Sequence, residues 1–214
     1  MPHPSHPRQT PAKLSRRAAA RGFSLIELVV VVIIIAVLAV IAVPNISKRL
    51  RDRRANELAQ QFSQTYRNAR MRAMGRGGAV LVRYTQGTAG VVEVREGVVG
   101  TSGACAELPS NGCDRTWLAA DSRQLSSLDV STRGEYENMK VVMSDPAAAE
   151  VNSMDICYTP LGRTFVRYAA AGPFIQLVGA PSANVARYSG ATKVGLQRRV
   201  VLLPNGTARL GIVP

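Results

Sequence analysis

The hydrophobic pattern of this chain changes twice along its length. Residues 1–22 are polar and read as a disordered leader. From Phe23 to Val43 the chain is almost wholly apolar, with sixteen uncharged residues from Leu28 to Val43. As helix, a run of that length covers about 31 Å, enough to cross a bilayer. After Pro44 the apolar positions become periodic. Ile46, Leu50, Leu58, Phe62, Tyr66, Ala69 and Ala73 lie three, four or eight residues apart and share one helical face. Residues 23–74 therefore read as one helix of about 78 Å, with a kink expected at Pro44, whose ring removes a hydrogen bond. The apolar face beyond Pro44 is where a globular head should rest.

From Ala79 onward short β-rich segments replace the helical period. Strands are expected at Ala79–Thr85, Val91–Arg95, Lys140–Met143, Met154–Tyr158, Thr164–Tyr168, Phe174–Val178, Arg198–Leu203 and Ala208–Ile212. Turn signals at Pro160-Leu161-Gly162, Gly172-Pro173 and Pro204-Asn205-Gly206 separate several of them. The last two strands make the clearest hairpin. Residues 100–138 are polar and irregular and read as an exposed loop region. About 140 residues after the helix suffice for one hydrophobic core. The fold class is α+β, a long N-terminal helix followed by an antiparallel β-rich head. Four segments follow: leader 1–22, membrane half of the helix 23–43, amphipathic half 44–76, and head 77–214.

Charge is distributed unevenly. The whole chain is +13, and removal of the leader's five cations (Arg8, Lys13, Arg16, Arg17 and Arg21) leaves +8. Residues 48–76 hold nine cations against Asp52 and Glu57, whereas residues 77–214 are only +2. A basic stripe of this kind can meet phosphates, anionic headgroups, the acidic flank of a neighbouring subunit, or solvent. Its place directly beyond the apolar run favours a headgroup or subunit contact. Positive residues flank both sides of that run, so charge alone sets no orientation.

Candidate chemistry is sparse. Glu27 is a carboxylate inside a membrane-length apolar run, an expensive placement that marks function. Both histidines, His3 and His6, lie in the leader. A chain cut after Gly22 has no histidine, which removes Ser-His-Asp and Cys-His catalysis and histidine metal sites. No P-loop, dinucleotide fingerprint, HExxH or CxxC occurs. Gly75-Arg76-Gly77-Gly78 reads as a helix stop and linker. The chain is expected to be no enzyme and to need no cofactor or metal.

Gly22-Phe23-Ser24-Leu25-Ile26-Glu27-Leu28 resembles the processing site of type IV prepilins and pseudopilins, and Pro44 sits where that superfamily usually has a proline. The resemblance covers roughly residues 21–75. It implies that a membrane aspartyl protease, the prepilin peptidase, cuts between Gly22 and Phe23 and methylates the new amine of Phe23. A residue without a side chain before the cut lets a protease approach the backbone closely. After cleavage the Phe23 amine is a cation beside hydrocarbon, one helical turn from Glu27 of its own or a neighbouring subunit. Such a pair is strong in low dielectric, although desolvation offsets much of the gain. Glu27 is thus assigned to subunit register during assembly, with a neutral or headgroup-facing Glu27 as the alternative. The resemblance also places the leader in the cytoplasm and the head in the periplasm.

Ile156-Cys157-Tyr158-Thr159-Pro160-Leu161-Gly162-Arg163 is similar to a strand–turn segment of the H-type pseudopilin and FimT/FimU-type minor pilin family. Arg198-Arg199-Val200-Val201-Leu202-Leu203-Pro204-Asn205-Gly206 resembles that family's closing hairpin. This implies a β-sandwich-like head packed on the helix, the pilin fold. A disulfide is expected between Cys105 and Cys113, closing a small loop in an oxidising periplasm, with Cys157 a buried free thiol. Three functions follow from the resemblance. The first is a minor pilin that helps prime type IV pilus assembly at or near the tip. The second is an H-type minor pseudopilin of type II secretion. The third is DNA uptake, through a weak patch of Arg198, Arg199 and Arg209. Against the third, Gly206-Thr207-Ala208-Arg209 has one arginine where that family's DNA-binding members have two. Expected partners are the prepilin peptidase, membrane lipid, the inner-membrane assembly platform with its motor, and other minor and major pilins or pseudopilins.

Overall fold

The apolar run and the periodic stripe after it join into one helix, α1 (Leu25–Arg76). The computed structural model describes residues 23–100, 108–132, 134–169 and 171–212, without the side chains of Ile41, Pro44, Asn45, Ser47 and Lys48. The chain divides into two compact units, Met1–Pro44 and Asn45–Pro214. In the first, Phe23 and Ser24 precede the helix, and the Leu28 amide donates to the Ser24 carbonyl at 3.2 Å. Side chains from Leu25 to Val40 are exposed. Among the described residues no helix is long and apolar enough to cross a membrane.

In the second unit the helix ends because Gly77 takes a left-handed conformation, φ 70°, and its amide closes the last turn on Ala73 at 3.1 Å. A side chain at that φ is disfavoured, so glycine is the natural residue there. Among the described residues eleven strands follow: β1 Val80–Thr85, β2 Val91–Gly97, β3 Ser122–Asp129, β4 Met139–Ser144, β5 Glu150–Val151, β6 Ser153–Tyr158, β7 Thr164–Arg167, β8 Ile175–Gln176, β9 Ser182–Ser189, β10 Thr192–Leu202 and β11 Ala208–Ile212. They form two antiparallel sheets, ordered β3-β2-β1-β6-β7-β8 and β11-β10-β9-β4-β5.

One apolar core takes its side chains from the helix and from both sheets. Leu58, Phe62, Tyr66, Ala69 and Ala73 of α1 are buried, with Ala55 and Ala59 filling the same stripe. They share a cluster with Val80, Val82 and Ile156 of the first sheet and Val141, Val185 and Val200 of the second. Ile46 and Leu50, on the same sequence stripe, are 55% and 50% exposed, so the head covers the stripe only from Ala55 onward. Two tyrosines tie the layers together. Tyr84 of β1 donates to the Val141 carbonyl of β4 at 2.8 Å, and Tyr158 of β6 donates to the Gly206 carbonyl at 3.2 Å. Burial raises both phenols, Tyr84 to about 12.

The expected loop region 100–138 contains β3, an eight-residue edge strand on β2. Its sequence, Ser-Arg-Gln-Leu-Ser-Ser-Leu-Asp, has only two apolar residues, Leu125 and Leu128, three apart rather than two, and its pairing with β2 is irregular between Val94 and Arg95. The other unexpected long strand, β9, carries Ala183 and Val185 inward and small or polar residues outward, a faint alternation.

The cysteine pairing differs from the expectation. Cys113 is bonded to Cys157, 44 residues away, with Cα atoms 6.0 Å apart. Cys157 is therefore no free thiol, and Cys113 does not close a small loop with Cys105, which lies outside the described residues. The physical reason is topological. Cys157 points from β6 to the outer face of the first sheet, where residues 109–121 fold back and are fastened by Ala79 N–H to Ser110 carbonyl, 2.6 Å. There Ala79, Leu81, Trp117 and Cys157 make a second small core, and Cys113 packs against it.

Candidate functional site

The segment that resembles a prepilin processing site lies at the N-terminal end of α1. Gly22 lies outside the described residues. Phe23 is 79% exposed just ahead of the helix, and Glu27 is exposed in its first turn. A carboxylate there faces the positive end of the helix dipole. Pro44 lies within α1.

The basic helix divides into two parts. Its C-terminal arginines are used by the head. Arg67 donates twice to the Ala208 carbonyl, at 3.0 and 2.8 Å, capping the outer edge of β11. Arg72 and Arg76 reach Glu96 of β2 at 3.0 and 2.9 Å, and Arg123 of β3 reaches it at 2.9 Å. Glu96 is fully buried. Burial alone would raise its pKa, but hydrogen bonds from Arg123 and Arg72, with the charges of Arg72 and Arg76, hold it below the ordinary value of 4.5. The N-terminal arginines Arg49, Arg51, Arg53 and Arg54 stay exposed.

A second buried carboxylate lies on the outer face of the first sheet. Asp155 of β6 takes a two-pronged bond from Arg83 of β1, 2.9 Å on each oxygen, and a third from Arg167 of β7 at 2.7 Å. Register places Glu93, Arg83, Asp155 and Arg167 in one cross-strand row of alternating sign. Arg167 also lies over the Phe174 ring, 4.5 Å from its centre. Neither Glu96 nor Asp155 was singled out from sequence. Only strand register and the close of the helix against β2 bring their arginines to them, so no local motif signals either. Among the described residues no three His, Cys, Asp or Glu side chains gather as a metal would require.

The arginine patch of the final hairpin is split. Arg199 of β10 donates to Asn184 of β9 at 2.9 Å on the outer face of the second sheet. Arg209 of β11 pairs with Val201 and so shares that face. Arg198 points to the opposite face, where it lines a groove with Arg49, Arg53 and Asn56 of α1.

Residues 17–43 match the family model described as the prokaryotic N-terminal methylation motif. The match begins within the basic segment ahead of the apolar run and ends where that run ends. No curated protein and no solved structure matches the chain. The motif indicates a type IV pilin-like or pseudopilin precursor, a substrate of prepilin peptidase that is membrane-anchored and assembles with other pilins. Such chains are structural rather than enzymatic. The helix followed by two antiparallel sheets is consistent with the pilin fold.

Proposed function

We propose that this chain is a minor pilin of a type IV pilus, of the H-type pseudopilin and FimT/FimU-type family. Prepilin peptidase cuts it between Gly22 and Phe23 and methylates the Phe23 amine. Residues 1–22 are the leader, and residues 23–43 sit in the inner membrane and later in the filament core. Residues 44–76 carry the periplasmic head, 77–214. In this reading Glu27 pairs with a subunit's new N-terminus and sets register, and Pro44 marks the joint between the two helix halves. Transfer of the apolar run from lipid to a bundle of neighbouring helices exchanges one apolar setting for another and need not be costly. The protein helps prime assembly and sits at or near the tip.

The observation that carries this reading is the methylation motif at the head of an α1 that continues into the head's core stripe. An H-type minor pseudopilin of type II secretion has the same parts and is the second reading. The test is intact mass of the protein purified from its native membrane. A chain beginning at methylated Phe23 supports the reading, whereas an uncut chain overturns it. Crosslinking in the filament then separates the systems by the neighbouring subunits recovered.

A further inference from the structure

We propose that the first two turns of the head's helix, with Arg187 of β9 and Arg198 of β10, form a binding surface for the phosphate of anionic phospholipid headgroups. The proposal rests on the membrane-anchored reading of residues 23–43. Its evidence is the way the helix divides its arginines. Arg67, Arg72 and Arg76 are bonded to the head. Among the described residues Arg49, Arg51, Arg53 and Arg54 make no ion pair. Instead they line two grooves, one on each side of the helix. Arg51 and Arg54 face Arg187 across a space of about 380 Å³. Arg49 and Arg53 face Arg198 across about 530 Å³.

The second groove shows an unmet need. Among the described residues the Arg198 Nε–H is buried with no hydrogen-bond partner, an arrangement that costs free energy unless an acceptor enters. The acids of that groove are Asp52 and Glu57, and Asp52 accepts the Leu196 amide at 3.4 Å. The first groove holds Glu135 and Glu137. Each groove thus has three guanidinium groups against two carboxylates, one net positive charge. That matches the single negative charge of a phosphatidylglycerol phosphodiester, and guanidinium forks suit phosphate oxygens.

Position favours lipid over a free anion. In sequence Arg49 follows Val43, the last residue of the apolar run, by six residues. Arginines this close in sequence to a membrane-held run can meet headgroup phosphates with their guanidinium heads while their stems cover apolar surface. Ile46 and Leu50, exposed beside them in sequence, complete an apolar-and-basic surface suited to a membrane interface. Two separate grooves of one net charge each do not offer the open cationic track that a nucleic acid requires.

The test uses the full chain in bilayer nanodiscs, either phosphatidylcholine alone or with phosphatidylglycerol added, and native mass spectrometry of the lipids retained. The expected result is selective retention of phosphatidylglycerol, cut by about half in the R49A/R53A/R198A variant, which empties one groove, and roughly tenfold or more when R51A/R54A/R187A is added. The R199A/R209A variant, on the outer sheet face, should retain the preference. Equal loss in the R49A/R53A/R198A and R199A/R209A variants, or no preference in the wild type, overturns the proposal. Displacement by inorganic phosphate at matched ionic strength would make this a free-anion site and also overturns it. Loss of subunit contacts in the triple variant without any lipid preference assigns the surface to a neighbouring subunit and likewise overturns it. A protein that fails to enter nanodiscs overturns the membrane-anchored reading itself, a separate and recognisable outcome.

Discussion

Arg76, in the last turn of α1, reaches the buried carboxylate of Glu96 on β2 at 2.9 Å. The contact fixes the end of the helix to the first sheet just before Gly77 reverses the chain. Arg72 and Arg123 complete a three-arginine clamp on the same group. Its arginines are partly exposed, with side chains 33 to 45% accessible, so solvent screens part of their attraction. Removing Glu96 leaves three guanidinium groups facing a buried hole. The E96A variant should lose about 2–3 kcal/mol, below the full value for a wholly buried pair. Urea unfolding of the full chain in detergent, followed by fluorescence of the single tryptophan, Trp117, measures this.

The same clamp gives a pH dependence. The folded pKa of Glu96 is lower than its ordinary value of 4.5. Its stabilisation is therefore fully present above that value and is lost as pH falls through the depressed folded pKa. The wild type should lose stability more steeply below pH 4.5 than E96Q, which has no carboxylate to protonate. Parallel curves for the two proteins in acid would show that the clamp is not the group responsible.

The Cys113–Cys157 bond ties the flap at 109–121 to β6. A closed loop of 44 residues' separation restricts the unfolded chain by about 4 kcal/mol in the chain-entropy model. Reduction, or the C113S/C157S pair, should cost about 2–4 kcal/mol and expose Trp117. Alkylation without reductant should leave Cys113 and Cys157 unlabelled. Recovery of a Cys105–Cys113 peptide from the native protein would contradict the pairing.

Gly206, in the β10–β11 turn, has φ 77°. An added Cβ would meet the Tyr158 ring at 2.8 Å and collide with the Thr164 hydroxyl. Backbone strain and steric conflict act together, so G206A should cost about 2–3 kcal/mol. Because Tyr158 donates to the Gly206 carbonyl, the loss should be coupled to Y158F in a double-mutant cycle.

The parts legible in sequence were those that repeat a period over many residues. Leu58, Phe62, Tyr66, Ala69 and Ala73 announce a core-facing helix, and Ala208–Ile212 closes the chain as the hairpin pattern predicts. The stripe alone does not say where the head stops, so Ile46 and Leu50 look like core and stand exposed. β3 has its two leucines three apart and β9 carries small inward residues, so neither has a strong alternation. The disulfide and the carboxylate clamps depend on which strands become neighbours, information spread over the whole chain. The division of Arg198 from Arg199 was available in advance, since adjacent residues of a strand point to opposite faces.

That division decides what the head can do with DNA. Arg199 and Arg209 share the outer face of the second sheet, with Val201 directly opposite Arg209 in the register, while Arg198 faces the helix. Two arginines neutralise about two phosphates, which gives a salt slope of about −1.8 on duplex DNA. Binding by the full chain in nanodiscs should therefore be weak at physiological salt, with a slope no steeper than about −2. The R199A/R209A variant should remove what binding there is, and R198A should leave it unchanged. Anisotropy titrations of a labelled duplex across a salt series measure all three. A slope steeper than about −5 would mean that many more cations reach the phosphates. The exposed helix arginines would then have to contribute, and the chain would become a candidate for DNA capture.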